Sequence, residues 1–191
     1  MEITISYLFA ITKKEDWMKI ANDFNEIWNF PNCVGAIDGK HISIICPPGA
    51  GSEYYNYKGY HSIVLQAVVD AHAKFVVIDI DDYGRCSGIF KESLFAYPLL
   101  PNLMRPFPRR QLTNEKRIYN YRLSRARRIV ECAFGIMVKR FNVLENKMLV
   151  GPEKATKITH SSYRTTQQVY GFFQFRKCFS SLARQIFSLK I

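Results

Sequence analysis

Two nearly continuous apolar runs, Ile63-Val-Leu-Gln-Ala-Val-Val-Asp70 and Phe75-Val-Val-Ile-Asp-Ile80, stand only four residues apart. β-Branched runs of this kind suit strands covered on both faces. The connection Ala71-His-Ala-Lys74 leaves room for a short turn and nothing else, so the runs are predicted to pair antiparallel. Upstream, Val34-Gly-Ala-Ile-Asp-Gly-Lys-His-Ile-Ser-Ile-Ile45 mixes apolar and polar residues at strand-like period, and Pro47-Pro-Gly-Ala-Gly51 follows as a loop. Three consecutive strands make an antiparallel meander, which the loop Asp81 to Gly88 ends.

Helices flank this sheet. Between Lys13 and Phe30 the residues Trp17, Ile20, Ala21, Phe24, Ile27 and Trp28 recur at helical spacing. Pro31 is expected to stop that helix. The stretch Pro98 to Pro108 holds four prolines in eleven residues and reads as extended and irregular. Thr113 is a candidate N-cap, with Glu115 suited to the positive end of the helix dipole. A long helix follows from about Asn114 to Asn142, its apolar stripe formed by Tyr119, Leu123, Ala126, Val130, Ala133, Met137 and Phe141. After Gly151-Pro152 the chain turns polar, then aromatic and basic, and no element is assigned. The organisation read from this is an N-terminal amphipathic helix (1–30), a central domain (31–150) and a basic, aromatic tail (151–191).

The formal net charge of +11 is unevenly placed. Residues 1 to 104 carry 8 basic and 12 acidic side chains, net −4, whereas residues 105 to 147 carry 12 against 3 and residues 148 to 191 carry 7 against 1. A basic C-terminal half favours a polyanion, because Lys and Arg that neutralise phosphates release condensed counterions. An anionic membrane surface or a solvated face are the alternatives. The five cysteines are odd in number, with no C-x-x-C pair, and the four histidines are scattered. That argues against a zinc knuckle or a disulfide framework, and a reducing intracellular compartment is expected. Ile5 to Ile11 is too short for a membrane span and follows Glu2 rather than a basic region. No Walker loop, G-x-G-x-x-G, G-x-S-x-G or H-E-x-x-H occurs, which removes nucleotide-binding and common hydrolase readings.

Two carboxylates stand out. Asp38 falls inside the first strand, where β-propensity alone would not place it. Glu131 lies one position from the apolar stripe of an otherwise basic helix and is expected to face the sheet. A strand carboxylate meeting a helix carboxylate is one way to hold Mg²⁺ or Mn²⁺, which take oxygen ligands and can be shared with a phosphate. The alternative is that Asp38 turns with Gly39 and Glu131 pairs with Arg127 or Arg128. Asp79, Asp81 and Asp82 suit a strand end and loop, or could supplement a metal site. Tyr54-Tyr-Asn-Tyr-Lys-Gly-Tyr60 could stack nucleobases or make a hairpin of cross-strand tyrosines.

The words Trp28-Asn-Phe-Pro-Asn-Cys-Val-Gly-Ala-Ile-Asp-Gly-Lys-His41, Tyr54 to Tyr60, Ala67-Val-Val-Asp-Ala71, Pro101-Asn-Leu-Met-Arg-Pro-Phe-Pro108, Leu112 to Gly135 and Pro152-Glu-Lys-Ala-Thr-Lys-Ile158 occur in order. Together they resemble the transposase domain of PIF/Harbinger DNA transposons and the Harbinger transposase-derived nucleases, over about residues 13 to 160. The resemblance implies an α/β, RNase H-like fold of the DDE transposase type. Three carboxylates there bind two divalent cations, Mg²⁺ or Mn²⁺, for in-line attack on a DNA phosphodiester. By that likeness Asp38 is the first acid and Glu131 the third, each catalytic and metal-binding. The DNA-binding cations are Arg122, Arg125, Arg127, Arg128, Lys139 and Arg140.

The sequence also departs from the family. Family members carry the second aspartate in a Gly-Asp-Glu-Ala-Phe-Pro-like word, and the aligned Ser93-Leu-Phe-Ala-Tyr-Pro98 has Leu94 in its place. The connection from Phe90 to Tyr97 is too short for the family's helix, loop and strand, so the sheet is expected to be incomplete through an internal deletion. Leucine cannot bind a metal. The family's helix-turn-helix region is missing, which implies a Myb-like DNA-binding partner. The likeness ends near His160, and Ser161 to Ile191 reads as out-of-frame or intron-derived sequence. The expected function is a transposase-derived, metal-dependent nuclease whose cleavage is impaired. The alternatives are a non-catalytic nuclear DNA- or protein-binding remnant and a fragmentary gene model. A nuclear location, with some cytoplasmic presence, follows from the likeness and from the basic cluster Arg122 to Arg128.

Overall fold

A computed structural model describes residues 7–8, 13–81, 104–110 and 112–170. The expected loop after Asp81, the Leu94 word, the acids Asp82 and Glu92, and the aromatic tail beyond Tyr170 lie outside the described residues.

Four strands form one antiparallel sheet: β1 (Tyr7–Leu8), β2 (Ala36–Ser43), β3 (Ser62–Val69) and β4 (Phe75–Asp81), in the order β1-β4-β3-β2. The three long strands are the predicted meander. β3 sits between two neighbours and is buried along nearly its whole length, which is why its sequence shows no polar alternation. The β3–β4 turn is closed by Asp70, whose carboxylate accepts from the backbone N–H groups of His72 (2.8 Å) and Lys74 (2.9 Å). Gly35 marks the entry to β2, where a Cβ would stand 2.5 Å from Val68 Cγ1.

Among the described residues three α-helices accompany the sheet. Helix α1 (Lys14–Trp28) buries Ile20, Phe24 and Trp28, and the Trp28 indole donates to the Ala71 carbonyl at 3.0 Å, tying the helix to the β3–β4 turn. The helix stops earlier than Pro31 requires. Asn29 takes the left-handed conformation (φ 53°) and its N–H caps the last turn, as Asn tolerates at a C-cap. Helix α2 (Asn114–Arg140) starts at Thr113, whose hydroxyl accepts from Lys116 N–H at 3.4 Å. Its predicted stripe is buried at Leu123, Ala126, Val130, Ala133 and Met137, and lies on the sheet with Ile129, Phe134 and Val138.

The unassigned stretch after Gly151 opens with a helix, α3 (Pro152–Tyr170). Ala155 and Tyr163 from this helix are fully buried in the main core. Tyr163 packs edge-on against Phe75, ring centroids 5.5 Å apart, and the Gln167 amide donates to the Phe75 carbonyl. Burial pushes the Tyr163 phenol up to about 12. Among the described residues no helix is long and apolar enough to cross a membrane.

Candidate functional site

Alternation along β2 puts Ala36, Asp38, Lys40 and Ile42 on one face and Ile37, Gly39, His41 and Ser43 on the other. The first set looks toward α2. Asp38 sits opposite Ala67 in mid-strand and takes no part in a turn with Gly39. Its carboxylate is met by Arg127 of α2, with Nη2 to Oδ1 at 3.3 Å. The carboxylate is 28% exposed and the guanidinium side chain 51%, so the pair stands at the rim of the helix–sheet contact, open to solvent.

Glu131 corrects one expectation. It is one helical turn beyond Arg127, yet its side chain is exposed and does not face the sheet. The sheet-facing stripe takes Val130 and Ala133 instead, because a single step of 100° round the helix carries Glu131 out of the interface. Glu131 also makes no ion pair among the described residues, since Arg127 turns to Asp38. Its charge is felt by the neighbouring Cys132 thiol, which burial first and Glu131 second push up.

Asp79 does not join Asp38. Asp79 pairs in register with Gln66, one residue out of phase with the Asp38–Ala67–Ile78 row, so it projects from the opposite face. Among the described residues no three His, Cys, Asp or Glu side chains converge as a metal site would require. Asp38 faces a guanidinium where a second carboxylate would be needed, so the described residues do not by themselves fit the expected pair of divalent cations.

The basic residues fall into two groups. Arg122, Arg125, Arg127 and Arg128 lie on the first half of α2, with Arg125 stacked 5.8 Å from the Tyr121 ring centroid. Lys139 and Arg140 end the helix, where Lys139 Nζ is already engaged by Glu145 at 2.7 Å and Arg140 lies over the Phe141 ring. The sequence reading missed three further cations. Arg105, Arg109 and Arg110 are exposed on the strap 104–110, which is fastened to α2 by both amide atoms of Asn120 bonding to Phe107 backbone (2.8 and 3.0 Å). Their signal is present in the basic charge after residue 104, and the prolines mask it.

A cavity of about 840 Å³ opens between the entry to β2 and the first half of α2, lined by Phe30, Val34, Ala36, Met104, Ile118, Tyr119, Leu123, Arg122 and Arg127. It runs beside the outer edge of β2. That edge has only one partner among the described residues, a parallel bridge from Ile44 to Met148 at its far end.

The tyrosine word forms a small hairpin beyond β2. Asn56, 4% exposed, organises it: its amide donates to Ser62 Oγ at 2.8 Å and its carbonyl oxygen accepts from Lys58 N–H at 2.9 Å and Tyr60 N–H at 3.4 Å. Gly59 takes the positive φ (84°) that closes the turn. His41 bonds Ser62 Oγ through Nδ1 at 2.9 Å, and burial, then Lys58, push its ring below the usual histidine value. Lys40, also lowered by burial and by Lys58, extends the cationic rim on the Asp38 side of the strand.

Neither a curated protein nor a solved structure matches the chain. One family does, described as DDE superfamily endonuclease, over residues 37–93 and 95–163. The match spans Asp38 and Glu131, runs into α3, and parts at Leu94. The match covers about two thirds of the chain, which therefore belongs to the DDE superfamily of endonucleases.

Proposed function

We propose that this chain is a transposase-derived DNA-binding domain of the PIF/Harbinger type, with an RNase H-like core lacking a strand and with DNA cleavage impaired. The observation that carries this reading is the Asp38–Arg127 pair: Asp38 is engaged by a cation of the basic helix, and no three metal-ligating side chains converge among the described residues. The family match supports DNA as the substrate class. The basic first half of α2 and the strap supply cations suited to the backbone. A nuclear location and a Myb-like partner that supplies site selection belong to the same proposal.

A second reading is favoured by the span of the family match, which includes both Asp38 and Glu131. On that reading cleavage survives in Mg²⁺ or Mn²⁺ with Asp38 freed from Arg127 and an acid outside the described residues completing the set. Supercoiled plasmid incubated with the purified chain separates the two. The impaired reading expects a salt-sensitive mobility shift in EDTA and no nicking in Mn²⁺, for the parent and for Asp38→Ala alike. Nicking by the parent that vanishes in Asp38→Ala establishes the second reading.

A further inference from the structure

The tyrosine hairpin divides into two kinds of aromatic residue. Tyr54 packs against the core, and Tyr60 stands edge-on to His41 at 6.4 Å. Tyr57 at the tip is 78% exposed, and Tyr55 is 47% exposed. An aromatic ring left that open contributes little burial, so core packing gives no reason for Tyr57 to be aromatic.

The surroundings of Tyr57 do suggest a ligand. Lys58 Nζ lies 5.7 Å from its ring centroid, and the His41 ring meets it edge-on at 5.6 Å. The tip is rigid, because the buried Asn56 side chain bonds to Lys58 N–H, Tyr60 N–H and Ser62 Oγ. An exposed ring on an anchored turn, beside a cation, matches one nucleotide, with a flat surface for the base and a charge for the phosphate. His41 is three residues along β2 from Asp38, an odd step that puts the two side chains on opposite faces, so the tip belongs to the face of the strand turned away from Asp38.

We propose that Tyr57 and Lys58 form a stacking site for an unpaired nucleobase, on the face of β2 opposite Asp38. In duplex DNA the base faces are covered by their neighbours, so a ring at a loop tip stacks only on a base that is single-stranded, terminal or extruded. This rests on the DNA-binding reading above and refines it to a preference for unpaired DNA.

The test uses the full chain, a short deoxythymidine oligonucleotide carrying a central 2-aminopurine, and a duplex of the same length. Tyr57→Ala should weaken single-strand binding about ten-fold and abolish quenching of the 2-aminopurine, while Tyr57→Phe keeps both and duplex affinity does not change. Unchanged single-strand affinity and persistent quenching in Tyr57→Ala overturn the stacking site, as does an equal loss on single strand and duplex. The pair Arg125→Glu and Arg128→Glu then tells the two ideas apart. If it weakens duplex binding while Tyr57→Ala does nothing, DNA binding stands and the stacking site falls. If the parent binds neither DNA, both are overturned.

Discussion

Arg127 and Asp38, 89 residues apart in the chain, meet at 3.3 Å across the junction of α2 and β2. Both side chains are partly in water, so the pair adds little to stability. Arg127→Ala and Asp38→Ala should each cost about 0–1 kcal/mol in urea denaturation, with a coupling of the same size in the double-mutant cycle. Functionally the two should differ. On the proposed DNA-binding role of α2, removing Arg127 should take away a contributing cation and lower affinity, whereas removing Asp38 should free that cation and leave metal-free affinity equal or slightly higher. A loss of DNA affinity in Asp38→Ala under EDTA would contradict this assignment.

Salt dependence should separate the two ends of α2. Charge reversal at Arg125 and Arg128 is expected to weaken duplex binding and to flatten the slope of log K against log salt by about 2, at roughly 0.9 for each phosphate no longer neutralised. Lys139→Gln should change the slope little, because Glu145 at 2.7 Å already neutralises that ammonium. Fluorescence anisotropy across about 50 to 200 mM salt, where binding through phosphates weakens steeply, reads both. Equal effects at the two ends would show that the Lys139–Glu145 pair opens on binding.

Much of this architecture is legible in the sequence, for identifiable reasons. The β3–β4 hairpin is announced by apolar runs either side of a four-residue turn, and α2 by Thr113 and a stripe from Leu123 to Met137. Asp38 is visible because a charged residue in a strand needs an explanation. The direction of Glu131 is not, since one residue of helical phase separates an interface from solvent. Nor is the partner of Asp38, because a contact between residues 38 and 127 leaves no local pattern.

Acidification should destabilise the chain as pH falls through the histidine range. His41 is held below its ordinary 6.5 by burial and then by Lys58, and His160 by burial and then by Arg164. The fold therefore prefers neutral rings, and the unfolded chain binds more protons near pH 6. The stability associated with this preference is complete above 6.5 and declines as pH drops toward the lowered values. The urea midpoint of the parent should fall between pH 7.5 and pH 5.8, values chosen about the ordinary histidine range, and His41→Gln should fall less. A midpoint that stays flat over this interval would show that neither ring is held neutral.

Helix α3 buries a stripe with few large aliphatic residues, and it yields the last prediction. Its buried side includes Ala155, Thr159, Ser162, Tyr163 and Thr166, a stripe that reads as polar. Each hydroxyl of Thr159, Ser162 and Thr166 donates to the carbonyl four residues back, at 2.8 to 2.9 Å, so it enters the core already satisfied. A search for large aliphatic residues at helical spacing passes over a helix that buries hydroxyls in this way. If α3 is part of the core, Tyr163→Ala should cost about 3–5 kcal/mol, in the range of large aromatic truncations, whereas Thr159→Val, similar in shape, should cost less than about 1.5 kcal/mol. Equilibrium urea unfolding of the two variants checks both. A Tyr163→Ala loss as small as that of an exposed residue would place α3 outside the cooperative unit, because filling a fully buried site beside Phe75 with a methyl group leaves a cavity no surface helix could tolerate so cheaply.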